Sequence, residues 1–81
     1  MDITKKGTPV PTRFGTLHVG DVVRVRLYEK APQGGTAINT REGTLVYHEN
    51  EARFLLYSEE EGLSYNLNMA EKPITVKKWN E

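Results

Sequence analysis

The 81-residue sequence predicts a small all-β protein: an SH3-like barrel or a strongly bent five-stranded antiparallel meander, preceded by an irregular N-terminal arm. Three observations predict it. The phrase Leu17–Tyr28 opens on a Gly20-Asp21 turn and alternates, with Val23, Val25 and Leu27 on one face and Arg24, Arg26 and Tyr28 on the other. Further β-rich runs follow, separated by polar turns. Nowhere do apolar residues recur at helical spacing over a useful length.

Residues 1–16 read as a flexible arm, rich in Thr, Gly and Pro, before a single domain at 17–81. Pro9 and Pro11 remove backbone donors and bias their predecessors toward extended geometry, so helix is excluded there. Val10 and Phe14 are its candidate anchors. Val22–Glu29 is the first strand. Lys30–Asn39 reads as a mobile loop with Ala31-Pro32-Gln33-Gly34-Gly35 at its tip. Arg41–His48 and Ala52–Ser58 form a hairpin around Glu49-Asn50-Glu51. Glu59-Glu60-Glu61-Gly62 is the next turn, with Gly62 expected in a left-handed conformation. Leu63–Asn68 is the fourth strand, Met69–Pro73 a connection with room for a 3-10 turn, and Ile74–Trp79 the last strand.

The expected core is Val23, Val25, Leu27, Leu45, Tyr47, Phe54, Leu56, Leu63, Tyr65, Leu67, Ile74 and Val76. Tyr47 competes with Val46 for the inside, since a slip of one residue exchanges them. Short strands must close or curl to hide their edges.

The chain is formally neutral, yet seven cations face three anions up to Arg41, and four face eight from Glu42 onward. Such asymmetry marks an interaction surface or disappears when the halves interleave. There is no cysteine, so disulfides and thiolate metal sites are excluded. No apolar run approaches the ~20 residues that cross a bilayer, and the N-terminus lacks the apolar core of a signal peptide. A cytoplasmic protein without membrane contact is expected.

Chemistry-bearing constellations are missing. His18 and His48 lie on separate segments, far short of the convergent ligands a metal needs. No serine or threonine sits in a nucleophile motif. Gly34-Gly35-Thr36 lacks the rest of a phosphate loop. The expectation is a non-enzymatic module without cofactor.

Binding signals remain. An acidic set, Glu49, Glu51, Glu59, Glu60 and Glu61, together with an outward Trp79, suits a protein partner. Such carboxylates can stand in for nucleic-acid phosphates at the basic groove of a host nuclease or defence complex. The alternative is nucleic-acid binding through Arg24, Arg26 and Tyr28 with Lys5, Lys6 and Arg13, where cations hold phosphates and the ring stacks a base. Against it, the strand arginines can equally pair with glutamates on a neighbouring strand. Self-association through exposed edge strands is a third expectation.

Val19-Gly20-Asp21-Val22-Val23 and Glu42-Gly43-Thr44-Leu45-Val46-Tyr47, with Ala52-Arg53-Phe54 after the turn, resemble the YopX-like small β proteins of phages and prophages. The resemblance runs from about Leu17 to Leu67. The chain lacks the Thr-Gly lead-in and the closing Gly-Asn of that pattern. It implies a mobile-element origin and a non-enzymatic β fold, with no catalytic residues to transfer.

Overall fold

Pro9–Thr12 (β1) and Gly15–His18 (β2) begin the computed structural model, which describes residues 4–80. Val22–Lys30 (β3), Thr36–His48 (β4), Arg53–Ser58 (β5), Leu63–Tyr65 (β6) and Ala70–Lys77 (β7) follow, with one 3-10 turn at Leu67–Met69. The first two strands form their own hairpin, and the other five form an antiparallel sheet in the order β6-β5-β4-β3-β7. The all-β expectation holds. The sheet remains open, however, and the barrel is not formed.

β3 through β6 make a meander, and the 3-10 turn carries the chain back across it so that β7 pairs with β3. Asn66 caps that turn, its side chain accepting from Asn68 N at 2.9 Å. β4 is the longest strand and changes partner along its length. Its residues 36–44 pair with β3 and its residues 44–48 pair with β5.

The expected arm is partly ordered structure. Residues 9–12 pair with 15–18, and Val10 and Leu17 lie opposite each other in the hairpin and are buried. Pro9 and Pro11 are tolerated because only one side of an edge strand carries the ladder, and alternate positions place both missing donors on one side. The boundary expected between residues 16 and 17 therefore falls inside β2. Residues 1–3 of that arm and residue 81 lie outside the described residues. The hairpin lays Val10, Leu17 and Val19 onto the main core of Val23, Val25, Leu27, Leu45, Leu56, Tyr65, Leu67 and Ala70. These side chains give the open sheet an apolar cover.

Several expected core positions move. Leu63 is 53% exposed because β6 is a three-residue edge strand. Ile74 is 45% exposed because it occupies one of two register shifts between β3 and β7. Tyr47 takes the inner side over Val46 only at the rim, edge-on to Phe54 with ring centroids 5.1 Å apart. The expected loop shrinks to residues 31–35, because Lys30 already pairs with Thr36. The fourth strand stops at Tyr65, and β7 starts earlier, at Ala70.

Asp21 joins the two layers. It is wholly buried, and its Oδ2 accepts from His18 N at 2.9 Å while Oδ1 accepts from Trp79 N at 3.0 Å. Its carbonyl accepts from Leu45 N at 2.8 Å, and Gly20 N donates to Leu45 O at 2.9 Å. One residue thus ties β2, β4 and the segment after β7. A buried carboxylate is tolerated when hydrogen-bonded in this way.

Candidate functional site

A cleft of about 400 Å³ opens where β4 passes from β3 to β5. β5 ends at Ser58, and from Gly43 back to Thr36 the β5 side of β4 has no strand partner among the described residues. The β5–β6 turn stands beside that gap. Val22 and Arg24 come from β3, Thr40 through Thr44 from β4, and Tyr57 and Ser58 from β5. Glu59, Glu60 and Glu61 form the lip. Gly43 is required at the handover, since a Cβ there would lie 3.0 Å from the Leu56 carbonyl carbon.

The turn is built by Ser58. Gly62 N donates to its carbonyl at 2.8 Å, and Glu61 N donates to its hydroxyl at 3.3 Å. Gly62 adopts φ +68°, the left-handed geometry read from the sequence. Glu61 is committed, because Tyr65 donates its hydroxyl to Glu61 Oε2 at 2.8 Å. Burial of Tyr65, reinforced by that bond to Glu61, holds its phenol above the ordinary value of 10.0.

Arg41 lies 3.1 Å from Glu29 and sits over the Tyr65 ring at 5.9 Å. Its pKa is raised, first by the hydrogen bond to Glu29. Asn39 donates to the same carboxylate at 2.6 Å. Glu29, Asn39, Arg41, Tyr65 and Glu61 thus make one chain of polar contacts behind the cleft. On the outer side, Arg24 meets Glu42 at 3.7 Å, and both are about half exposed, a pair that contributes little. Glu59 and Glu60 have no hydrogen-bond or ion-pair partner among the described residues. They stand near Tyr57, which is 38% exposed and lines the same cleft.

The expected acidic set is divided. Glu49 and Glu51 lie in the β4–β5 turn, at the other end of β5 from Glu59–Glu61. Glu51 is held by Arg53 at 2.7 Å and lies 3.7 Å from His48. Trp79 joins neither group. A Cβ on Gly7 would come within 2.7 Å of its ring, and one on Gly20 within 2.9 Å of its Cβ. Trp79 therefore packs on two glycines of the N-terminal region, with the residue 40% exposed.

The expected cationic set is also dispersed. Arg13 stacks on Phe14 at 4.8 Å and donates to the Ala70 carbonyl. The Lys6 stem packs against Gly20, and the Lys5 carbonyl accepts from Thr8 N at 3.1 Å. Arg24 and Arg26 each face a glutamate, Glu42 and Glu71, the latter at 3.9 Å. Tyr28 is exposed opposite Ile38. Sequence reasoning missed Lys72, which lies directly opposite Arg26, and Arg41 as a cleft residue. Only pairing register reveals the first, because the residues are 46 positions apart.

Among the described residues, no group of three or more His, Asp or Glu is placed to hold a metal, and no helix is long and apolar enough to cross a membrane. Comparison with protein-family models, with curated proteins and with solved structures returned no match.

Proposed function

We propose that this chain is a non-enzymatic interaction module whose cleft takes a cationic segment of another protein. The observation that carries this reading is the pair Glu59 and Glu60, carboxylates without a counter-ion among the described residues, beside an exposed Tyr57. An ammonium or guanidinium entering the cleft gains both charges and a cation–π contact with the ring. The basic groove of a host nuclease or defence complex is a partner of this chemistry, and the YopX-like resemblance supports a phage or prophage origin. The test is titration of an arginine-rich peptide by calorimetry, with the double substitution Glu59→Lys/Glu60→Lys. Binding should be lost in that variant and kept in Glu49→Lys. Equal binding by both variants removes the cleft from the function.

A second reading, nucleic-acid binding, is favoured by one feature. Arg26 and Lys72 are directly opposite on the outer face, and although Glu71 lies 3.9 Å from Arg26, the pair leaves an excess of positive charge that a phosphate would meet. Labelled single-stranded DNA should then bind with an affinity that falls by about 0.7 log units per phosphate contact per decade of salt. Lys72→Glu should abolish that binding, and an unaltered affinity excludes this face.

A further inference from the structure

The sheet has two long free edges, and they are built differently. β7 is blunted: it carries Pro73, two register shifts against β3, and Lys72 and Lys77. Each of these features opposes pairing with another strand. The β5-facing edge of β4 over residues 36–43 carries one lesser device, the inward-facing Arg41, whose charge is already met by Glu29. It holds no proline and no lysine, and its register with β3 is unbroken from Lys30↔Thr36 to Val22↔Thr44. Its backbone groups on that side have no strand partner among the described residues. The cleft lies at the end of this edge, with Glu42, Glu59 and Glu60 around it.

We infer that an extended cationic segment of a partner protein binds by adding a strand to the 36–43 edge of β4, continuing the line that β5 leaves at Ser58. The inference rests on the cleft reading and supplies its mode: main-chain hydrogen bonds along β4 give affinity, and the acidic lip selects the charge. Eight residues of edge span about 26 Å at ~3.3 Å per residue, enough for a segment of similar length. Charge selects the occupant. Among the described residues Glu59 and Glu60 are unpaired, and Glu42 is held only by a half-exposed arginine. On the inner face of this edge Asn39 and Arg41 are tied to Glu29.

The test uses an eight-residue peptide of alternating lysine and threonine, and the same peptide with its backbone N-methylated at alternate residues. Binding is read by calorimetry, and amide exchange of residues 36–43 by NMR. The unmodified peptide should bind and slow exchange along that edge. N-methylation of the bonding side should weaken binding at least tenfold, on the order of what two or three lost main-chain bonds produce. Equal binding of the methylated peptide, still lost in Glu59→Lys/Glu60→Lys, overturns strand addition and leaves the cleft reading standing. Failure of both peptides overturns both. Exchange protection that appears with protein concentration alone overturns the inference in favour of a second copy of this chain.

Discussion

β7 and the far half of β4 are both bare on one side, yet only β7 is built to stay so. β7 buries Ala70 against the core and then kinks twice around Pro73, with lysines outward. β4 runs without a register shift over residues 36–43, with Arg41 turned inward to Glu29 and Glu42 outward to Arg24. The difference shows where the fold spends its protection. The edge away from the cleft is closed to other strands, while the edge leading into it is left fit for pairing. Exposed edges are a liability that folds manage explicitly, so one guarded so much less than β7 beside a charged cleft is informative.

The largest effect should come from Asp21, whose carboxylate joins β2 to the segment after β7. Asp21→Ala removes the acceptor of two part-buried backbone donors and should cost about 2–3 kcal/mol in chemical denaturation. Asp21→Asn retains one strong acceptor and should cost clearly less. Next is Gly7→Ala. Its φ of +87° and the 2.7 Å approach to the Trp79 ring predict a loss of about 1–3 kcal/mol. Tryptophan emission should move to longer wavelength as the segment after β7 loosens. Gly15→Ala has open space around it and should perturb Trp79 not at all.

Smaller is the contribution of Tyr65, which supports the β4 edge through Arg41. Its folded pKa is raised, so the stability it lends is fully present below the unfolded value of 10.0 and is lost as pH rises through the folded one. Denaturation midpoints should fall in that alkaline window and should fall less in Tyr65→Phe, which costs about 1 kcal/mol at neutral pH. Glu61→Gln should lower the phenol's pKa in a spectrophotometric titration, since its charge and hydrogen bond both raise it. The smallest change in stability, with the sharpest change in behaviour, is expected from Lys72→Thr/Pro73→Val. It should alter unfolding free energy by no more than about 1 kcal/mol. It should make β7 associate, visible as concentration-dependent sedimentation, and a strictly monomeric variant would show that these residues do not guard the edge.

Much of the sheet was legible. The alternation in Val23, Val25 and Leu27 survives in the structure as three buried residues, and Leu45, Leu56 and Tyr65 lie where period two puts them. The Glu59–Glu61 turn and its left-handed Gly62 were also legible, because turn chemistry is local. The N-terminal hairpin was not. Two prolines within four residues outweigh local strand signals, and only burial of Val10 and Leu17 against a distant core repays the pairing. Ile74 was misplaced for the related reason that a register shift, which turns its side chain outward, leaves no mark in the alternation. The candidate site was legible in pieces. Glu59 and Glu60 were singled out, and the strand between the two acidic turns already implied their separation from Glu49 and Glu51; the seat of Trp79 on Gly7 and Gly20 was not legible, because it depends on contacts distant in sequence.

By itself the sequence determined the class, the first strand, the acidic turn and the absence of thiol chemistry, all consequences of local backbone preference and composition. Tertiary structure decided the rest. It chose an open sheet over a barrel, buried Asp21 between layers, set Lys72 opposite Arg26, and left one edge of β4 unpaired. Each depends on which strands become neighbours, and that is settled by long-range burial and register.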